Sequence, residues 1–265
     1  IAERLFDPRE LLSYTDEEWQ FLQNQMICDL NEGYAIYRPR YILPDYNVYI
    51  KKGCEFLELP APKNLDEVLD GLLILYSHVP SITTFPVYIG RLDVLLDPFI
   101  TDEEQDYIKI KRFLNHVDKT VPDSFCHANI GPYDTKAGRL ILKAVIELEA
   151  PTPNMTIRYD KSKTSREFAE LAAKACLLVS KPSFANDAYY ISDLGEQYGI
   201  ASCYNALPEC GGAYTLTRLR LGTIARACKT VDEMVNELLP RVAKCALSTM
   251  DKRHKFVVEE SNFFN

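Results

Sequence analysis

The sequence predicts an α/β protein with a parallel sheet, because helical and strand-like patterns alternate along the chain. Apolar residues recur every three or four positions over residues 138–148 and again after Thr164, which is typical of helices that pack one face on a core. Between these stretches, residues 154–159 alternate like a strand. Strands that alternate with helices favour a parallel sheet covered by helices.

Helix starts are predicted where a threonine is followed three residues later by a glutamate, because the two side chains can cap exposed amides reciprocally. The pairs are Thr15/Glu18, Thr101/Glu104, Thr164/Glu167 and Thr230/Glu233. The helix after Thr164 is expected to end near Lys181 and Pro182. The charged residues 101–123 give no clear assignment.

Further short strands are predicted over residues 46–50, 86–89 and 200–203. No linker rich in glycine and serine, internal repeat or low-complexity tract divides the sequence. Residues 1–265 are therefore interpreted as a single α/β domain.

The composition is that of an ordinary globular protein, with 265 residues of which 47% are hydrophobic and 26% charged. A net charge of −8 argues against binding to nucleic acid or an anionic membrane, because the chain would repel both. Apolar runs such as residues 72–75 are far too short to span a bilayer. The first residues contain no apolar signal region, so a cytoplasmic location is expected.

The cysteines and histidines indicate neither a disulfide framework nor a metal site. No two cysteines form a CxxC motif, and the eight cysteines are widely spread, which fits a reducing compartment. The four histidines do not pair with cysteines at the spacing of zinc ligands, so no bound metal is expected.

Common phosphate-binding and nucleophile motifs such as GxGxxG, GxxxxGK[ST], GxSxG and HExxH are absent. The remaining candidate is Cys203, which follows a short apolar segment and precedes Asn205, Pro208 and two glycines. Such a cysteine is expected at the C-terminal end of a strand, the edge that carries active sites in parallel α/β proteins. A buried cysteine before an ordinary turn is the alternative.

Four blocks in order resemble the cysteine-bearing half of glycyl radical enzymes, and most closely their YjjI-type branch. The blocks are Ile-Gly-Arg-Leu-Asp at 89–93 with Asp-Pro-Phe at 97–99, Pro-Asn-Met-Thr-Ile-Arg-Tyr at 153–159, Pro-Ser-Phe-Ala-Asn-Asp at 182–187, and Ser-Cys at 202–203 followed by a glycine pair. The segment Phe-Cys-His-Ala-Asn-Ile-Gly-Pro at 125–132 is the one that resembles the YjjI-type branch. Together they cover about residues 85 to 225.

The resemblance implies part of a ten-stranded α/β barrel, incomplete in this chain, with an open edge at which a homodimer could form. It also implies an organic glycyl radical in the full-length enzyme, installed by a separate activating enzyme that uses S-adenosylmethionine and an iron–sulfur cluster. Cys203 takes the thiyl position, from which a sulfur radical abstracts hydrogen from a small polar metabolite. No cofactor is expected to be bound.

Other candidate residues follow from the same blocks. Asn186 and Asp187 match a motif that shapes the barrel wall, and they are candidates for substrate binding or for capping the next helix. His127, with Asn129, is expected on a loop after a strand, where it presents polar groups to substrate or serves a structural role.

Glu209 follows Cys203 closely enough to act as a general base in the same pocket, although a solvated carboxylate is the alternative. The Gly-Cys-x-Glu spacing of radical dehydratases is not met. Cys210 is a candidate second thiol that would contact substrate.

The radical loop of the family, Arg-Val-x-Gly-aromatic, is not found in this sequence. No glycine follows Gly222, and Arg241-Val242-Ala243-Lys244 has lysine where the glycine would be. We therefore expect this chain to lack the glycyl radical domain and to be inactive alone.

Two functions remain open from the sequence. The first is the cysteine-bearing portion of a glycyl radical enzyme, with the reaction class (lyase, acyltransferase or dehydratase) unresolved. The second is a non-catalytic α/β module that retains the fold motifs and serves binding or assembly.

Overall fold

A computed structural model describes residues 7–29, 40–83, 87–120, 126–150, 152–201, 205–213 and 216–260. The helices are α1 (Pro8–Leu11), α2 (Asp16–Gln23), α3 (Tyr46–Lys52), α4 (Leu65–Ile82), α5 (Leu92–Leu96), α6 (Glu103–Thr120), α7 (Lys136–Leu148), α8 (Arg166–Val179), α9 (Asp187–Leu194), α10 (Leu221–Arg226), α11 (Val231–Glu233) and α12 (Leu239–Lys255). Short 3₁₀ turns occupy Glu55–Leu57 and Asp97–Phe99, and π-helical turns occupy Met234–Leu238 and Phe256–Glu260.

The strands are short. They are β1 (Ile27–Asp29), β2 (Tyr41–Ile42), β3 (Val87–Arg91), β4 (Cys126–Ile130), β5 (Asn154–Tyr159), β6 (Ser183–Asn186), β7 (Tyr198–Ala201), β8 (Asn205–Pro208), β9 (Gly212–Ala213) and β10 (Thr217–Leu219). The chain divides into two compact units, one of residues 1–40, 82–84 and 213–265 and the other of residues 41–81 and 85–212.

The first unit is mostly helical. Strands β1 and β10 pair antiparallel, with Ile27 opposite Leu219. A small core of buried residues includes Phe21, Ile224 and Val242. Glu18, the last residue of the predicted capping pair at the start of α2, accepts hydrogen bonds from the Thr15 amide and the Lys252 ammonium, each at 2.7 Å.

The second unit contains a parallel sheet, as predicted. Its strands follow one another in the order β3, β4, β5, β6, and each pairs in parallel with the next. Helices α6, α7 and α8 connect these strands, and α7 packs against both of its neighbours. A sequential strand order with right-handed connections places the connecting helices on one face of the sheet.

The core of the second unit lies between that helical layer and the sheet. Ile89, Ile130 and Ile157 from the strands meet Ile141 and Phe168 from the helices, and none of these side chains is exposed. Burial of each such side chain contributes about 1.5–3 kcal/mol to folding. The four parallel strands form an open sheet in the described part of the chain, so the ten-stranded barrel stays a prediction.

Three elements agree closely with the sequence predictions. Strand β5 covers the predicted residues 154–159, α7 includes the predicted stretch 138–148, and α8 ends at Val179, just before Lys181 and Pro182. Strand β3 begins at Val87, one residue after the predicted start, which lies outside the described residues.

The predicted strand over residues 46–50 is wrong, because these residues belong to helix α3. The Asp45 carboxylate accepts a hydrogen bond from the Asn47 amide at 2.9 Å and so caps the first turn. Tyr46 and Tyr49 are both buried, and their spacing places them on one helical face.

Two of the predicted caps lie one residue away from their true positions. Helix α6 is capped by Asp102, whose carboxylate accepts from the Glu104 amide at 3.1 Å, and α8 is capped by Ser165, which accepts from the Phe168 amide at 3.1 Å. In both cases another good capping residue follows the threonine. Residues 101–123, whose charged sequence permits no clear assignment, contain the whole of α6.

The predicted strand over residues 200–203 is β7, but it pairs antiparallel with β8 as a hairpin and does not extend the parallel sheet. Its last two predicted residues, Ser202 and Cys203, lie outside the described residues. Among the described residues no helix is long and apolar enough to cross a membrane.

Candidate functional site

The sheet face opposite the helices is polar. Side chains alternate along a strand, so Tyr88, His127, Asn129, Thr156 and Arg158 point away from the helical layer that the buried isoleucines contact. A register irregularity in β3 between Tyr88 and Arg91 places Arg91 opposite Asn129, on the same side of the sheet. We call these six residues the polar face. Most of them are buried, so this face is covered by other parts of the chain.

The β7–β8 hairpin lies against this polar face. The Asn129 side chain accepts a hydrogen bond from the Ile200 amide at 2.7 Å and donates one to the Ile200 carbonyl at 3.0 Å. The Tyr88 ring packs on Gly199, where an added Cβ would come within 2.5 Å of two ring-end atoms. The residues that join the two strands, 202–204, lie outside the described residues and include Cys203.

A buried ion pair fixes the base of the hairpin. Arg158 donates to Asp187 at 2.7 Å and to the carbonyls of Tyr198 and Glu196 at 3.3 and 3.2 Å, and its guanidinium lies 3.8 Å from the centre of the Tyr198 ring. The Tyr198 hydroxyl also donates to Asp187 at 2.8 Å. Burial would raise the pKa of Asp187, but these hydrogen bonds and the guanidinium charge outweigh it and hold the pKa below its ordinary value.

A second charged group lies where β3 and β4 end. Asp93 accepts from the Gly131 amide at 2.7 Å, and Arg91 donates to the Gly131 carbonyl at 3.2 Å. Burial raises the pKa of Asp93 to about 6. The second carboxylate oxygen of Asp93 and Nε of Arg91 are buried and have no hydrogen-bond partner in the described part of the chain.

Glu209 lies just after β8, and its amide donates to the Gln197 carbonyl at 3.0 Å. Burial, together with the charge of Asp45, raises the pKa of the Glu209 carboxyl, while the charges of Arg91 and Arg158 oppose this shift. Glu209 and Arg91 line a small cavity of about 20 Å³, which is enough for about one water molecule. A half-buried carboxyl with a raised pKa, beside two cations, is suited to accept or return a proton.

The other predicted site residues lie in different surroundings. Asp187 is fully buried in the ion pair, whereas Asn186 is exposed and its side chain caps α9 by accepting from the Tyr189 amide at 3.2 Å. Cys210 is exposed, and its amide donates to the Leu43 carbonyl at 2.8 Å. Cys203 is outside the described residues. The structure thus places Asp187 and Glu209 near Arg158, while Asn186 contributes to a helix start.

His127 lies within strand β4 and not on a loop after it, and the same correction applies to Asn129. Burial lowers the pKa of His127 to about 4, so the imidazole is neutral near pH 7. Its Nε2 is buried and has no hydrogen-bond partner among the described residues. It shares the polar face with Asn129, two residues along the same strand.

Sequence patterns alone do not identify the residues that attach the hairpin, which include Tyr88, Arg158 and Tyr198. A charged residue inside an otherwise apolar strand such as β5 is nevertheless a usable signal. In the described ranges no group of three or more histidine, cysteine, aspartate or glutamate side chains could hold a metal ion.

Comparison with known proteins gives consistent matches along the chain. It is 92% identical over 265 residues to an uncharacterized protein of Haemophilus influenzae, covering 100% of this chain and 52% of that protein. It is 44% identical over 246 residues to the uncharacterized protein YjjI of Escherichia coli (strain K12), covering 92% of this chain and 48% of that protein. The chain spans about half the length of these curated relatives.

A protein-family match covers every residue of the chain. The family is described as glycyl radical enzyme YjjI-like, and the match extends over residues 1–265. The chain belongs to the YjjI-like family of glycyl radical enzymes.

Proposed function

We propose that this chain forms the cysteine-bearing part of a glycyl radical enzyme, in which Cys203 transfers hydrogen atoms to and from a small polar metabolite. The observation that carries the proposal is the position of the β7–β8 hairpin, which lies against the polar face. In the sequence, Cys203 falls between the last residue of β7 and the first residue of β8. Family membership supports the same chemistry.

The surroundings of the hairpin fit a radical relay. Tyr198, Ile200 and Ala201 are buried, so the strand that leads to Cys203 is shielded from water. A shielded site favours a neutral thiol over a solvated thiolate and protects a radical from side reactions. The polar face beside the hairpin offers amide, hydroxyl and guanidinium groups that can orient a polar substrate.

In the proposed mechanism, Cys203 gives its sulfur-bound hydrogen atom to the glycyl radical that the full-length protein would carry, so an S–H bond breaks as a C–H bond forms at the glycine. The resulting thiyl takes a hydrogen atom from a substrate carbon, so the S–H bond re-forms as that C–H bond breaks. After rearrangement, the product radical takes that hydrogen atom back from Cys203. The relay is electronically balanced and consumes no oxidant.

Glu209 is proposed as the group that moves protons during the rearrangement. Its raised pKa lets it hold or release a proton closer to neutral pH than an exposed glutamate does. The guanidinium of Arg91 lies close enough to affect that pKa and would hold an anionic substrate group or the Glu209 carboxylate itself.

The test requires no knowledge of the substrate. The full-length protein is activated anaerobically with an activating enzyme that uses S-adenosylmethionine, and the glycyl signal is recorded by electron paramagnetic resonance. Thiol hydrogens exchange with solvent, so in D₂O the relay through Cys203 replaces the glycyl α-hydrogen with deuterium, and the doublet collapses to a single line.

We expect Cys203→Ala to keep the radical and the doublet while losing the collapse. The matched control is Cys210→Ala, which removes an exposed thiol nine residues after the end of β7 and should leave the collapse unchanged. Collapse in Cys203→Ala at the normal rate would overturn the role of Cys203. Absence of any radical in the activated full-length protein would favour the non-catalytic binding or assembly module.

A further inference from the structure

The Asn129 side chain holds the backbone of a single hairpin residue at two points. Its Oδ1 accepts from the Ile200 amide at 2.7 Å, and its Nδ2 donates to the Ile200 carbonyl at 3.0 Å. Neither residue is more than 1% exposed. The side-chain amide of Asn129 therefore makes the hydrogen bonds that a neighbouring strand would make. One side chain satisfies both backbone groups of Ile200.

A residue of strand β3 fixes the orientation of the Asn129 side-chain amide. The Tyr88 hydroxyl lies 3.4 Å from Oδ1 of Asn129 and donates to it. Burial, followed by the charge of Glu209, raises the pKa of Tyr88, so this hydroxyl stays protonated and remains a donor. Oδ1 thus receives two donors, which leaves Nδ2 directed at the Ile200 carbonyl.

The backbone that carries Asn129 is also held on both sides. In strand β4, Asn129 pairs with Arg91 of β3 and with Thr156 of β5. A side chain on a central strand with a fixed amide has little freedom, so its hydrogen bonds set both the position and the register of Ile200.

We propose that Asn129 is a positioning residue for hydrogen transfer at Cys203, an inference that rests on the proposed function. Cys203 is three residues after Ile200 in the chain, which limits the distance between their Cα atoms to about 10 Å. A shift of the Ile200 backbone would therefore also displace the Cys203 thiol, because only two residues separate them. Displacement of a reacting group by about 1 Å can slow a reaction by about 10²-fold.

The test measures the rate at which the glycyl doublet collapses in D₂O in the activated full-length protein. Asn129→Leu has a similar shape and makes neither hydrogen bond. We expect it to slow the collapse by about 10–100-fold while the amount of radical per protein stays the same. Thr249→Val is the matched control, because it removes a buried side-chain hydrogen bond, to the Ala246 carbonyl, outside the polar face.

Asn129→Asp separates positioning from a general structural role. A protonated carboxyl has one acceptor and one donor oxygen and can replace both hydrogen bonds, whereas a carboxylate cannot donate to the Ile200 carbonyl. We expect the collapse rate of Asn129→Asp, divided by that of the unsubstituted protein at the same pH, to rise several-fold from about pH 8 to pH 6. Asn129→Leu should show no such recovery.

The ratio removes the titration of the other groups on this face. The titratable or charged side chains around Asn129 are those of Tyr88, Arg91, Asp93, His127, Arg158 and Glu209. They are present in both proteins, so the two proteins differ in the new carboxyl and in the effect of its charge on these neighbours.

Two results would overturn the inference without affecting the proposed function. The first is a collapse rate in Asn129→Leu within twofold of the unsubstituted protein, where that protein still shows the dependence on Cys203. The second is a collapse rate of Asn129→Asp, divided by that of the unsubstituted protein, that does not change with pH. This second result remains available as the test if Asn129→Leu does not fold. Loss of the collapse in the unsubstituted protein would instead refute the proposed function.

Discussion

Replacing Asp187 with Asn tests whether the buried ion pair holds the second unit together. The substitution keeps the shape of the side chain and removes its charge, leaving the Arg158 guanidinium buried at 2% exposure without its carboxylate partner. Removal of one partner from a buried pair costs about 3–5 kcal/mol, because the remaining charge is poorly solvated. We expect the free energy of unfolding to fall by an amount near the lower end of this range, since Asn can still accept hydrogen bonds from Arg158 and Tyr198.

The assay is urea unfolding followed by far-ultraviolet circular dichroism. The control is Glu170→Gln, which breaks an exposed ion pair with Arg166 on α8 and should leave the unfolding midpoint nearly unchanged. The double variant Arg158→Met/Asp187→Asn should lose less stability than the sum of the two single variants, because the charge stranded by Asp187→Asn is then absent.

The same ion pair predicts a pH dependence with a definite sign. The folded pKa of Asp187 is lowered, so its stabilising contribution is present above about pH 4 and is lost as the pH falls through the folded value. A loss in Asp187→Asn no greater than that in Glu170→Gln, or full additivity in the double variant, would refute the assignment of this pair as the attachment of the hairpin.

Two further predictions concern a carboxyl and a glycine. Burial raises the pKa of Asp93 to about 6, so the folded protein retains a proton that the unfolded chain releases near pH 4, and the free energy of unfolding falls as the pH rises through this window. In Asp93→Asn, the decrease in the free energy of unfolding between about pH 4 and pH 7, measured by urea unfolding, should be about 3 kcal/mol smaller. An unchanged pH dependence of the free energy of unfolding would contradict the raised pKa of Asp93. Gly199→Ala should cost about 1–3 kcal/mol, because the new Cβ would lie 2.5 Å from Tyr88 and 2.8 Å from Leu43. Gly222→Ala, in a helix with its nearest atom 3.7 Å away, should instead gain about 0.5–1 kcal/mol; equal effects at the two glycines would contradict the close contact.

The parts of the fold that could be predicted are those in which one pattern is long enough to exclude the alternatives. Helix α7 has apolar residues at helical spacing over three turns, and strand β5 alternates over six residues. The segment that forms α3 is short, and its tyrosines fit either period. The helix forms because Asp45 caps it and both buried tyrosines then face the core.

The direction of β7 could not be predicted from its sequence. A short apolar strand followed by a turn fits both a parallel sheet and a hairpin, and the difference depends on which backbone partners are available. Here β8 provides an antiparallel partner, with Ile200 opposite Ala206. Glu209 was a candidate from its position in the sequence, and Asp187 and Cys203 were candidates from the resemblance to known enzymes; their roles stay predictions. The contacts of Asp187 and the pKa of Glu209 depend on residues distant in sequence, above all Arg158.

The attachment of the hairpin explains why polar residues occupy the centre of a buried sheet face. A strand that lies on the face of a sheet cannot form backbone hydrogen bonds with the strands of that sheet. Its backbone amides and carbonyls that do not pair with its hairpin partner must therefore be satisfied by side chains. Asn129 satisfies the amide and carbonyl of Ile200, and Arg158 satisfies the carbonyl of Tyr198. Each apolar replacement at these positions would leave buried backbone groups unpaired. Because the two contacts fall on alternate residues of β7, a shift of the strand by one residue would break both, and this fixes the register of the segment that leads to Cys203.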